Sequence, residues 1–238
     1  MQKEIKNVRG DILRKTLVWN GIRAEDMGVK IISLPPIALS TEKVNEVEIE
    51  DRDGFLTELD GYGGDTKQVE ADYRGNNPQK LLKWLRGSGE VIFGNQDDRY
   101  YKARISNIVP LEQIIENQLY NFPIEFRCQP FGYLLEGKRP IELLKPTTLY
   151  NGKTDYENKP IISVYGTGKC TLNINGKAFS ITNISGKITL DSELEEVYED
   201  KGQYFESDDF PILNVGENNI SWVGNVSKIE IIPNWRCV

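Results

Sequence analysis

The sequence predicts a mainly β protein with one short helix, built as a mixed β domain followed by an antiparallel β-sandwich. Three observations predict it. Only the stretch from Asn77 to Leu85 combines an N-cap residue, a proline at the first helical position and a helical apolar stripe. The second half is a series of short strand-like segments with closely spaced turns and no helix. Between the halves, Phe122, Ile124, Phe126 and Cys128 alternate with Glu125 and Arg127, the period-two pattern of a half-buried strand. Pro130 is expected to end that strand near Gln129. A polar connector with Lys138, Arg139, Pro140, Lys145 and Pro146 follows. The expected organisation is a first domain over 1–135, a connector over 136–158 and a sandwich over 159–238.

In the first domain, Leu17-Val18-Trp19 and Val29 to Leu34 read as strands around Asn20-Gly21, a turn dipeptide that tolerates positive φ. Pro35-Pro36 stops the second strand, since neither residue donates an N–H. Val44, Val47 and Ile49 then sit among Glu42, Lys43, Glu46, Glu48 and Glu50, which fits an exposed arm or edge strand. Asp51 to Gly54 and Asp60 to Gly64 read as turns. A calcium loop fails at the first of these, because its first ligand position would be Ile49. Asn77-Pro78 opens the helix, Leu81, Leu82 and Leu85 form its stripe with Trp84 beside it, and Gly87-Ser88-Gly89 ends it. Strands over Glu90–Phe93 and Arg99–Val109 flank a polar turn, with Tyr101, Ala103 and Ile105 directed inward.

In the second half, Ile161–Tyr165, Lys169–Asn173, Lys177–Thr182, Ile188–Asp191, Glu195–Tyr198, Asn219–Val223 and Val226–Ile232 read as strands. Gly166-Thr167-Gly168 reads as a turn, and Asn175-Gly176 is the clearest hairpin signal in the chain.

Composition excludes many functions. The chain has 238 residues, a net charge of −7 and no histidine. The acidic balance argues against non-specific nucleic-acid binding and against anionic membranes. No apolar run approaches the roughly 20 residues of a membrane span, and the first fifteen residues lack a signal-peptide core, so synthesis in the cytoplasm is expected. Without histidine there is no Ser-His-Asp or Cys-His machinery and no His-containing zinc site. Cys128, Cys170 and Cys237 lie far apart and read as buried reduced thiols.

Asp97-Asp98 reads as a solvated hairpin tip rather than a catalytic pair. Gly168-Lys169-Cys170-Thr171 lacks both the glycine spacing and the following helix of a phosphate loop. The acidic set Asp191, Glu193, Glu195, Glu196, Glu199 and Asp200 reads as a solvated loop rather than a glycosidase pair. Tyr198, Tyr204, Phe205, Phe210 and Trp222 read as core or interface rather than a sugar platform. No catalytic, cofactor-binding or metal-binding residue is assigned, no cofactor is implied, and the expectation is not an enzyme.

In order along the chain, these features resemble the distal tail protein (Dit) family of long-tailed phages and prophages infecting Gram-positive bacteria. The residues that carry the resemblance are Trp19-Asn20-Gly21 with Asp26-Met27-Gly28, Leu59 to Gly64, the helix at Leu81–Leu85, and Tyr100 to Ile105. Phe126 to Phe131 closes the first domain with a short motif typical of the family. Gly166 to Gly176, Asp191-Ser192-Glu193, Phe210 to Leu213 and Pro233 to Arg236 continue it. The resemblance implies a first domain that forms a ring around a central channel and a galectin-like sandwich outside it. It implies a hexameric virion protein of the tail tip or baseplate, joining the tail tube to the tail-associated tip protein and carrying receptor-binding proteins, with DNA only passing through. A carbohydrate-binding module is the alternative, and a carboxylate-only glycosidase a more distant one. Two expectations accompany the ring: Leu34 to Asp53 belts an adjacent subunit, and carboxylates give the channel a negative lining.

Overall fold

The computed structural model describes residues 15–51, 53–107, 109–115, 119–198 and 205–238. The chain divides into two units, one ending at Gly132 and the other running Tyr133–Cys237.

The first unit contains β1 (Leu17–Trp19), β2 (Ile22–Arg23), β3 (Val29–Ser33), β4 (Thr41–Glu48), β5 (Phe55–Gly63), β6 (Asp65–Arg74), α1 (Pro78–Trp84), β7 (Ser88–Phe93), β8 (Arg99–Ile105), β9 (Glu112–Ile115) and most of β10 (Leu119–Leu134). Its main sheet has the order β2-β1-β7-β8-β10-β6-β3, with β9 also on β10. β10 is the central strand, pairing antiparallel with β6 from Leu119 opposite Arg74 to Cys128 opposite Asp65. Its alternation sends Phe122, Ile124, Phe126 and Cys128 into the core, where they join Leu17, Trp19, Val69, Ala71, Val91 and Phe93. Phe126 stands between Trp19 and Phe93, with ring centroids 5.3 and 5.7 Å away. Leu81 and Leu85 close α1 onto this core, and the Asn77 carboxamide oxygen accepts the Lys80 N–H at 3.0 Å as the expected N-cap.

Three expectations for this unit change. The strand from Arg99 ends at Ile105, short of Val109. The strand through Phe122 does not stop at Gln129, because β10 continues through Pro130 to Leu134. β6 begins at Asp65, opposite Cys128, so Pro130 lies beyond that ladder and interrupts none of its hydrogen bonds. Asp60 to Gly64 is not a free turn either, since β5 runs to Gly63. Lys43 pairs with Gly61 and Val44 with Leu59, leaving Asp60 as an extra residue in a bulge beside Gly61, whose φ is 109°.

The second unit contains the end of β10, then β11 (Ile141–Leu143), β12 (Thr147–Asn151), β13 (Ile161–Ile174), β14 (Lys177–Asp191), β15 (Glu196–Tyr198), β16 (Gly216–Ile232) and β17 (Arg236–Cys237). The sheet order is β11-β16-β13-β14-β15, with β12 also on β16. Residues 136–158, expected to connect the domains, thus supply two strands of this sheet. β17 pairs with β10, and the Leu134 N–H donates to the Trp235 carbonyl at 2.8 Å.

Segments read as separate short strands are halves of long, bent ones. Gly166-Thr167-Gly168 is no turn; it lies inside β13, opposite Ser185 and Gly186 of β14 and Asn225 and Val226 of β16. Gly166, Gly168, Gly186 and Gly224 fall at one level across three neighbouring strands, and β-bulges interrupt the register there. The extra residues switch which parity faces inward. Phe179 and Ile181 are buried before the bend in β14, and Ile184, Ile188 and Leu190 after it. The sheet therefore curls, and residues from both sides of the bend share one core, Leu172, Ile174 and Phe179 with Val164, Ile188 and Ile229.

A buried polar clamp fixes the C-terminal segment. Asn158 is fully buried and accepts the Arg236 N–H at 2.7 Å while its amide donates to the Tyr156 carbonyl at 3.1 Å. The Arg236 guanidinium lies over the Tyr156 ring, 5.3 Å from its centroid.

Candidate functional site

The most unusual surface is the arm made by β4 and β5, a two-stranded sheet that pairs with no other strand among the described residues. Pro35-Pro36 ends β3 and turns the chain outward, and the arm returns directly into β6. Its root is held on β10. The Ser40 hydroxyl donates to the Pro130 carbonyl, and Tyr62 meets Phe131 edge-on with centroids 6.0 Å apart. A Cβ on Gly64 would stand 2.6 Å from the Cys128 carbonyl oxygen, so the chain passes close to β10 where only glycine fits. Asn95 adds a hydrogen bond to the Pro35 carbonyl at 2.8 Å. The Phe126–Phe131 stretch is therefore the anchor of the arm as well as the end of the first unit.

Beyond its root the described residues of the arm are exposed. All eight residues of β4 are exposed. Val44 pairs with Leu59 and shares a face with Phe55; Val47 pairs with Leu56 on the other face. Phe55 is 57% and Leu59 54% exposed, and Leu39, on the approach to the arm, is 81% exposed. A two-stranded sheet with no core is marginal in water, and exposed apolar residues on both faces mark an interaction surface. Carboxylates at Glu42, Glu46, Glu48 and Glu58 lie between them.

The candidates for chemistry are held in structural roles or lie exposed. Asp98 is committed to Arg99 through two hydrogen bonds of 2.9 and 3.0 Å, and the guanidinium holds its carboxyl below the usual carboxylate range. Asp97 is exposed. Asp191 caps its own turn by accepting the Glu193 and Leu194 N–H groups at 3.0 and 3.1 Å. Glu193 accepts the Tyr133 hydroxyl at 3.0 Å, and Glu196 the Tyr198 hydroxyl. Glu199, Asp200 and Tyr204 lie outside the described residues. Gly168-Lys169-Cys170 is a bulged strand with no helix behind it. Among the described residues, no group of three His, Cys, Asp or Glu side chains is placed to hold a metal ion. All three cysteines are buried, and none is in a disulfide among the described residues. Desolvation pushes the Cys128 thiol up to about 12, the state of an inert packing thiol.

Of the aromatics, Phe205 bridges Phe179 and Phe210, with centroids 6.5 and 5.1 Å away. Trp222 packs against the core. Beside Phe179 and Phe210, a half-open cavity of about 220 Å³ is lined also by Ile174, Asn175, Lys177 and Asn214.

No protein-family model matches the sequence, and no curated protein matches it. Solved structures do match its fold. The Dit protein of phage SPP1, described as a paradigm of the hub adsorption apparatus in phages infecting Gram-positive bacteria, is similar with a TM-score of 0.69 at 11% identity. That match covers 91% of this chain and 97% of the SPP1 protein. The chain has the Dit fold. A chain of the phage p2 baseplate, in its activated conformation with strontium, is similar with a TM-score of 0.51 at 10% identity, over 92% of this chain and 96% of that one. The Dit fold read from the order of motifs is thus present over both units, although sequence identity has fallen too low for any single motif to carry it.

Proposed function

We propose that this chain is a structural hub of a phage tail tip or baseplate, a virion protein and not an enzyme. Six copies close into a ring through the first domain, around a channel that DNA traverses without being bound. The galectin-like sandwich faces outward. The ring joins the tail tube to the tail-associated tip protein and carries the receptor-binding apparatus. One observation supports this above the others: a Dit fold carries an arm whose apolar residues Val44, Val47, Phe55, Leu56 and Leu59 stay exposed among the described residues. A heterologous contact between an arm and a neighbour closes into a ring when the rotation allows. Negative-stain images of the purified protein should show six-fold rings with a central opening. Particles without rotational symmetry would contradict the proposal.

A carbohydrate-binding role is the second reading, favoured by the cavity beside Phe210. Phe210 lines that cavity and Trp222 does not, so Phe210→Ala is the informative substitution. It should abolish retention on a glycan array if this reading holds, and an array with no hits for the unaltered protein refutes it.

A further inference from the structure

The arm accounts for nearly all of the net charge of the chain. Residues 41–63 hold eight carboxylates against Lys43 and Arg52, a net of −6, while the whole chain carries −7. Among the described residues none of the arm carboxylates is ion-paired.

The same unit presents a surface of opposite sign around α1. Lys80 and Lys83 are one turn apart on its exposed side, opposite the buried Leu81 and Leu85. Arg86 follows. The Gly87 carbonyl accepts the Ile105 N–H at 3.2 Å, which ties the end of the helix to β8. The β1–β2 hairpin is tied to the helix by reciprocal indole hydrogen bonds. Trp19 Nε1 donates to the Trp84 carbonyl at 3.1 Å, and Trp84 Nε1 to the Trp19 carbonyl at 3.3 Å. That tie brings the exposed Ile22, the partner of Trp19 in the hairpin, next to α1. Lys80, Lys83 and Arg86 are all exposed, and none is ion-paired among the described residues.

We propose that the arm of one copy docks on the α1 face of the next copy. The proposal rests on the ring reading and names the acceptor that reading leaves open. Donor and acceptor are different patches of one chain, which is the head-to-tail arrangement a ring requires. Charge sets direction more than strength. Exposed ion pairs are individually weak and screened beyond about 8 Å at physiological salt, so Val44, Phe55, Leu59 and Ile22 supply the apolar contact. The carboxylates also keep two arms from pairing edge to edge, the competing association open to any unpaired strand.

Sedimentation velocity of the full chain tests this, at about 50 mM and about 500 mM salt to vary screening. One variant carries Lys80→Glu, Lys83→Glu and Arg86→Glu; a second carries Glu46→Lys, Glu48→Lys and Glu58→Lys; a third combines both sets. Each triple variant should weaken self-association by about tenfold or more at low salt, and the combined variant should recover it. Urea midpoints equal to that of the unaltered protein would establish that the variants fold. If the acceptor variant associates like the unaltered chain while the arm variant does not, the arm docks elsewhere; the α1 assignment falls and the ring reading stands. A combined variant without recovery also overturns the assignment. An unaltered chain that stays monomeric at low salt across all concentrations overturns both.

Discussion

Alanine at Gly166 should disrupt the curl of the second unit, and the cost follows from the backbone around it. Gly166 is held between two ladders, with Gly186 on one side and Val226 on the other. A Cβ there would lie 2.2 Å from the Asn225 carbonyl oxygen and 3.0 Å from Val226 Cα. Both are backbone atoms of β16, so relief requires the ladder itself to open. Overpacking costs about 1–3 kcal/mol where neighbours can give way, and this site belongs at the upper end, about 3 kcal/mol. Gly168→Ala is the control. Its φ is +74°, but no atom lies within 4 Å of the added carbon, so only the left-handed conformation is penalised, about 1 kcal/mol. Urea unfolding followed through Trp222 and Trp235 reports this unit. With an m-value of about 1.5 kcal/mol/M, Gly166→Ala should lower the midpoint by about 2 M and Gly168→Ala by less than half of that. Equal costs for the two, or a Gly166→Ala midpoint unchanged from the unaltered protein, would refute the bend mechanism.

Three further outcomes follow from single contacts. Asn158→Ala removes the acceptor for the Arg236 N–H inside a fully buried network; it should cost about 2–4 kcal/mol in urea and expose the C-terminal segment to carboxypeptidase. Asn77→Ala deletes the cap on Lys80 N and should cost about 1 kcal/mol, with Asn77→Asp recovering most of it. Cys128 couples stability to alkaline pH. Its folded thiol is raised to about 12 while an unfolded one ionises near about 8.5. Its contribution is therefore complete below about pH 8.5 and is lost as pH rises toward 12. Urea titrations at pH 8 and pH 10.5 should show a steeper loss for the unaltered protein than for Cys128→Ala.

The sequence was legible where the signal is local. Asn77-Pro78 and Asn175-Gly176 specify a helix start and a hairpin through their own backbone preferences, and both are present. The alternation through Val44 also pointed to an exposed strand. β6 escaped notice because its inward set, Lys67, Val69, Ala71 and Tyr73, begins with a charge. Lys67 is buried with its ammonium 3.6 Å from Asp65 and over the Tyr101 ring, partners that lie on and across the sheet. The bent strands were misread for a related reason. Gly166-Thr167-Gly168 has the same local preferences in a turn and in a bulge, and only the strands on either side decide which forms. The α1 face is less legible still, since Ile22 joins Lys80, Lys83 and Arg86 only after the β1–β2 hairpin has docked on the helix through the two indoles.

Light scattering on the full chain and on a chain with residues 41–63 replaced by a short Gly-Ser linker tests the central claim most directly. The account predicts six copies for the full chain, with subunits of 27.1 kDa, and a folded monomer without the arm. A six-copy assembly that survives loss of the arm would contradict it.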